Sequence, residues 1–196
     1  MVKILKENWL LLFFIVAVVL IRLFVLTPVQ VSGHSMDPTL ADKQRLIASK
    51  ISSYDRQDIV ICVEPDDPSK IAVKRLIGLP GDTIEMKDDV LTINGEVYEE
   101  PYLDEFKEKF ADDQLQDEYS YREMFQQIAA GAEHFTDDFT VTVPEGSYFV
   151  MGDNRLISRD SRSFGVVTED QMEGKVLLRF WPLNQIKLFW LFVNKD

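Results

Sequence analysis

Between Trp9 and Leu26 the chain is apolar except for Arg22, a run of 18 residues. A small soluble core cannot cover a helix that is apolar on every side, so this run reads as a membrane span, at the lower limit for a ~30 Å hydrocarbon layer. Arg22 stands one turn from its end, where the long stem lets the guanidinium reach the interface. The sequence predicts a transmembrane anchor over residues 9–27. A cleaved secretory leader would need a shorter apolar core and a small-x-small site, and Thr27-Pro28-Val29-Gln30-Val31 offers none. Lys3 and Lys6 outweigh Glu7 on the short leading side, which places residues 1–8 in the cytoplasm and residues 28–196 outside.

In a chain of 196 residues the anchor leaves room for one domain with a real core, not for two unrelated ones. Arg45–Ala48, Asp58–Val63, Ala72–Ile77 and Thr83–Met86 are short, β-rich runs separated by Gly, Pro and Asp, the pattern of strands in a mainly β domain. Val90–Tyr98 adds a hairpin around Asn94-Gly95. Strand character resumes at Phe139–Val143 and Tyr148–Met151. The stretch 103–130 has a different texture, with Phe106 and Phe110 four apart among Glu, Lys and Gln, and predicts one or two helices. The fold expected is therefore an N-terminal transmembrane helix and a β-rich domain with an acidic, partly helical insertion over about residues 99–138. The tail from Ile186 to Val193 is dense in aromatics and suits either a membrane interface or a last core strand.

The net charge of −12 is concentrated: Glu96–Asp138 holds 14 acidic residues against Lys107, Lys109 and Arg122. The rest is close to neutral, which leaves no basic footprint for nucleic acid, and the acidic stretch reads first as a solvated insertion. Cys62 is the only cysteine and lies in the apolar run Ile59–Val63, so it predicts a core residue and no disulfide. No His/Cys cluster, calcium loop or nucleotide-binding glycine loop is present, and no metal or cofactor is expected.

Ser35 stands in the turn Ser32-Gly33-His34-Ser35-Met36-Asp37-Pro38-Thr39, close behind the anchor. A serine hydroxyl needs a neighbouring base to become a nucleophile. The two histidines serve poorly, since His34 adjoins Ser35 and points to the other side of an extended backbone, while His134 lies in the acidic insertion. A neutral lysine would serve, if burial takes its pKa well below about 10.4 at roughly 3–4 kcal/mol of desolvation. Lys74, in Ile71-Ala72-Val73-Lys74-Arg75-Leu76-Ile77, has apolar neighbours for this, and on a strand Arg75 faces the other way, toward solvent or a carboxylate.

The serine turn, the run Lys74-Arg75-Leu76-Ile77-Gly78-Leu79-Pro80-Gly81-Asp82 and the run Gly152-Asp153-Asn154-Arg155-Leu156-Ile157-Ser158-Arg159-Asp160-Ser161-Arg162 resemble, in order, the motifs of type I signal peptidases. The single anchor and Gly33 look like the Gram-positive branch. The resemblance implies Ser35 as nucleophile and Lys74 as general base, Ser158 orienting the Lys74 amine, and an Asp160–Arg162 ion pair bracing that loop. It implies that Met36 lies against bound substrate. Asp153 and Ser161 fall inside the matched motif and read equally well as turn formers. Some relatives carry a serine at the place of Gly33 whose hydroxyl helps to bind the oxyanion, so here the donor must come mainly from backbone, most simply the Ser35 N–H. The implied reaction is removal of signal peptides from secretory preproteins after small-x-small sequences, at the outer face of the membrane and near the translocon. A non-catalytic assembly chaperone for surface fibres sharing the same fold is the alternative, against which the pair Ser35 and Lys74 argues. A Ser-x-x-Lys enzyme of the β-lactamase type is set aside because Pro38 stands three places after Ser35.

Overall fold

Strand register is set wherever apolar side chains must reach a core, because a slip of one residue turns every side chain to the other face. The structure, a computed structural model, describes residues 8–113, 115 and 123–189. Helix α1 (Trp9–Phe24) leads into β1 (Leu26–Gln30), β2 (Arg45–Ser49), β3 (Ile59–Glu64) and β4 (Asp67–Gly78). Then come β5 (Thr83–Lys87), β6 (Val90–Ile93), β7 (Glu96–Val97), helices α2 (Asp104–Asp113) and α3 (Glu123–Gly131), β8 (Phe139–Thr142) and β9 (Ser147–Met151). The short helix α4 (Ser161–Phe164) precedes β10 (Val167–Thr168), β11 (Met172–Trp181) and β12 (Lys187–Leu188).

One sheet runs β1-β2-β11-β3-β4-β9-β10 with β12 added to β11, and the other runs β7-β6-β5-β8. Every pairing between these strands is antiparallel. The large sheet is covered on both faces. Ile59 and Ile61 enter a core with Val31, Met36, Leu40 and Leu46, whereas Val60 and Cys62 enter another with Ala72, Leu76, Val150 and Phe164. That double burial is why β3 reads as an unbroken apolar run. Cys62 is the core residue expected, and burial pushes its thiol up to about 12. In the second sheet Ile84, Met86, Leu91 and Ile93 point inward at alternate positions and pack on Ile77, Val143 and Phe149.

The mainly β expectation holds, with β1, β10, β11 and the short helix α4 among the elements that the sequence did not suggest. β1 lies in what read as the end of the anchor and the residues beyond it, and β11, the strand at the middle of the large sheet, was not recognised. The anchor itself needs correction. Instead of a helix over residues 9–27, α1 has 16 residues, about 24 Å at 1.5 Å per residue, shorter than a ~30 Å hydrocarbon layer. Among the described residues no helix is long and apolar enough to cross a membrane. The helix ends early because Leu26–Gln30 pair with Arg45–Ser49, and Pro28, which has no N–H, suits an edge strand and not a helix interior. No residue of α1 is buried. Lys3 and Lys6, on which the expected topology rests, and the tail beyond residue 189 lie outside the described residues.

α2 and α3 fall between β7 and β8. Phe106 and Phe110 of α2 and Phe125 of α3 bury their rings with Leu103, Leu115 and Phe135. Phe135 meets Phe106 edge-on at 5.3 Å and Phe110 at 5.8 Å between ring centroids. The Asp89 carboxylate accepts from the N–H groups of Phe135 and Thr136 at 3.0 and 2.6 Å, tying the end of the insertion to the β5–β6 turn. The acidic insertion thus has its own apolar core. Phe135 is 1% exposed, and Phe135→Ala is expected to destabilise the protein by about 3–5 kcal/mol in urea unfolding; a change below 1 kcal/mol would mean that this cluster does not hold the insertion.

Candidate active site

Ser35 sits in a turn pinned at both ends. The Gly33 N–H donates to Asp42 Oδ1 at 2.9 Å, and that bond holds the Asp42 carboxyl below its ordinary value. Gly33 itself adopts φ +86°, a left-handed conformation that glycine takes without strain. Beyond the serine, Met36 is 1% exposed, and its carbonyl accepts from the Leu40 N–H at 2.8 Å. His34 Nδ1 lies 3.0 Å from Asp37 Oδ2. Asp42 was not suggested by the sequence, since it lies nine residues from Gly33 in an ordinary polar turn.

Lys74 reaches the same place from β4. It pairs with Val60 and so shares a face with Cys62, Ala72 and Leu76. It is 4% exposed, and its Nζ donates to Ser158 Oγ at 3.1 Å. Burial drives the Lys74 ammonium below its ordinary value of 10.5; Asp160, Cys62 and Glu64 pull the other way, and Arg162 adds to the depression. Ser35 and Lys74 line one cleft of about 440 Å³, walled by Thr27–Ser32 on one side and Ile71–Val73 on the other, with Met36 and Ile61 between and Glu64 and Glu173 at the margin. Among the described residues no hydrogen bond joins the two side chains directly, as is common before substrate tightens such a site.

The third part is the loop from Gly152 to Arg162. Asp160 caps α4, accepting from the Arg162 N–H, and forms a two-pronged ion pair with the Arg162 guanidinium at 2.8 and 2.9 Å. Burial would raise the Asp160 carboxyl, but Arg162 overrides it and holds the group below its ordinary value. Asp160 also accepts from the Gly152 N–H at 2.9 Å, and Ser161 Oγ accepts from the Val150 N–H at 2.9 Å. Ser161 is therefore more than a turn former. A side chain on Gly152 would collide with Ser158 and with the Ser35 carbonyl, so only glycine lets these segments close up. The Asn154 N–H donates to the Ser35 carbonyl at 3.1 Å, and the Ser158 N–H to the Asn154 carbonyl at 3.0 Å.

Arg75, on the opposite face of β4 from Lys74, meets a carboxylate as expected. Its guanidinium donates to both oxygens of buried Asp153, at 2.8 and 2.6 Å, and lies 3.7 Å from the centre of the Tyr102 ring. Glu100, Tyr102 and Arg155 complete this cluster and were not picked out from the sequence. Arg155 pairs with Glu100, donates to the Gly152 carbonyl at 3.0 Å, and Tyr102 donates to Glu100 at 2.7 Å. Elsewhere, Asp88, His134 and Asp138 bring ligand atoms within 4.8 Å of one another, but none of them lines the cleft.

All nine residues singled out from the sequence, Gly33, Ser35, Met36, Lys74, Arg75, Asp153, Ser158, Asp160 and Arg162, thus belong to the cleft or to the segments packed behind it. A sequence profile of the family described as signal peptidase, peptidase S26, matches residues 4–181. The chain is 43% identical over 198 aligned residues to signal peptidase I of Streptococcus pneumoniae strain R6, covering 94% of this chain and 97% of the relative. It is 41% identical to signal peptidase I S of Bacillus subtilis, covering 88% and 86%, and 36% identical to signal peptidase IB of Staphylococcus aureus, covering 84% and 82%. A crystal structure of a signal peptidase I from Enterococcus faecalis superposes with a TM-score of 0.50 at 38% identity, covering 64% of this chain and 97% of that one.

The depressed Lys74 value has a signed consequence. Only the neutral amine accepts a proton, so a reaction in which Lys74 served as the base would show a kcat/KM that rises with pH through a midpoint below 10.5. Because the folded-state value is below the unfolded one, the unfolded chain holds more protons between the two, and stability rises with pH across the same window. Both trends should vanish in Lys74→Met, followed by peptide cleavage and by thermal unfolding against pH; a limb centred at or above 10.5 would place the amine in water.

Proposed function

The chain belongs to the signal peptidase family, peptidase S26, and is a serine peptidase; from that premise we propose that Ser35 and Lys74 form its catalytic dyad and cleave signal peptides from secretory preproteins. The observation that carries this reading is the buried Lys74 amine, hydrogen-bonded to Ser158 in the same cleft as Ser35.

Neutral Lys74 takes the Ser35 proton as Oγ attacks the scissile carbonyl, and a tetrahedral oxyanion forms. The Ser35 N–H supplies one donor to that oxygen, in the absence of a side-chain hydroxyl at Gly33. The Lys74 ammonium then passes its proton to the leaving amine, which departs as the new N-terminus of the mature protein. Lys74, neutral again, deprotonates a water that attacks the acyl-enzyme; the Ser35–carbonyl bond breaks, and Ser35 recovers its proton. Ser158 fixes the amine through these steps, and the Asp160–Arg162 pair fixes Ser158.

Substrate binding follows from the cleft walls. β1 ends its sheet, and β9 pairs with β4 only from Arg75 onward, so the outer side of β1 and the early part of β4 offer backbone groups to an extended peptide. Val29, Met36, Ile61, Ala72 and Val73 give these walls an apolar surface. Shallow apolar pockets of this kind suit the small side chains of a small-x-small sequence and exclude larger ones. Helix α1, apolar and with no buried residue, takes the membrane as its partner, with Arg22 and Lys50 near the lipid headgroups and the cleft on the outer side, close to the translocon.

Cleavage of a preprotein in detergent by wild type, Ser35→Ala and Lys74→Ala, with product masses, tests the reading. Wild type should cut after small-x-small, and each variant should lose at least ~1000-fold in kcat. Full activity in either variant would remove the dyad, and a cut elsewhere would remove the specificity.

A further inference from the structure

The cluster of Glu100, Tyr102 and Arg155 lies behind the cleft, where the start of the insertion meets the Gly152–Arg162 loop. One peptide of the loop links the serine turn to Ser158: Asn154 holds the Ser35 carbonyl and, through its own carbonyl, the Ser158 N–H. The side chains of the next three residues go into the insertion. Arg155 is completely enclosed by its Glu100 partner, the Tyr102 hydroxyl at 3.4 Å and the Gly152 carbonyl, while Leu156 and Ile157 pack against the phenylalanine cluster. Glu100 is buried, which would raise its carboxyl, yet Arg155 and Lys107 hold it below its ordinary value, so the carboxylate stays charged. Tyr102 closes the circuit. Its hydroxyl binds Glu100 and its ring lies under Arg75, the neighbour of Lys74 on β4.

We propose that Glu100, Tyr102 and Arg155 are positioning residues for the peptidase reaction, locking the Asn154–Ser158 turn between the insertion and β4 so that Ser158 holds the Lys74 amine in line with Ser35. The acidic insertion is then part of the catalytic unit. This inference rests on the dyad proposed above. None of the three residues lines the substrate cleft, so they act on the chemical step and not on binding.

The test is kinetic, on the full chain in detergent, with a signal-peptide substrate. Tyr102→Phe removes one hydroxyl and keeps the ring; Glu100→Gln keeps the shape and removes the charge; Arg155→Lys is the conservative partner change. Expected are losses in kcat of about 10- to 100-fold for Glu100→Gln and smaller for Tyr102→Phe, with KM within about twofold of wild type. A loosened turn also admits water to Lys74, whose charged and titratable neighbours Asp160, Arg162, Glu64 and Cys62 are unchanged, so the rising limb of kcat/KM moves to higher pH. A purely structural role would lower the thermal midpoint and leave kcat per folded molecule and the pH limb as in wild type, and this would overturn the proposal. Should Glu100→Gln fail to fold, Tyr102→Phe decides alone by the same two readouts. Lys74→Ala run in parallel separates the two claims. If it stays active the dyad is wrong; if it is inactive and the Glu100 and Tyr102 variants match wild type, only the positioning role falls.

Discussion

The placement of a lysine amine at the edge of an apolar core, almost wholly buried, is the constraint on which the rest of the structure depends. An ammonium in such a place is disfavoured, and the fold accommodates Lys74 with a hydroxyl beside its amine and apolar side chains around its stem. β3 supplies Val60 and Cys62 on the face that Lys74 shares, and β9 and α4 cover that face with Val150 and Phe164. The charges nearby are already committed to each other. Asp160 is tied to Arg162, and Asp153 to Arg75, and the upward pull of Asp160 and Glu64 on the amine is outweighed by its burial.

The Gly152–Arg162 loop joins these requirements in one segment. Two ion pairs of opposite polarity flank it, the carboxylate of Asp153 accepting from β4 and the guanidinium of Arg155 reaching into the insertion. Ion pairs buried this deeply add little net stability, because removing both charges from water offsets their attraction. Their geometric fixity is the more telling property. Each is two-pronged, and a two-pronged bond resists rotation where a single contact would not.

Much of this was legible in the sequence, for reasons that differ by residue. Short β-rich runs between turn formers revealed β2 to β6, and three long ordered motifs named Ser35, Lys74, Ser158, Asp160 and Arg162 together. β1 was hidden because it starts on the last residue of the apolar run and carries Pro28, and its pairing partner stands some twenty residues later. β11 was hidden because Glu173, Gly174 and Lys175 interrupt its apolar pattern; Gly174 lets the strand pass close to the Ser49 backbone, and Lys175 is drawn inward by Asp58. Glu100 and Arg155 were hidden for another reason. Each is an ordinary charged residue in its own surroundings, and only a contact across 55 positions makes the pair visible.

The junction between α1 and β1 has a mechanical consequence. Val25 alone separates the helix from the strand, and Lys50 holds its carbonyl at 2.8 Å while its amine reaches the Leu23 carbonyl at 3.3 Å. There is no hinge. β1 goes on to form one wall of the cleft, each residue adding ~3.3 Å along the strand. The distance from α1 to the wall of the cleft is therefore set by a continuous run of helix and strand with one residue between them.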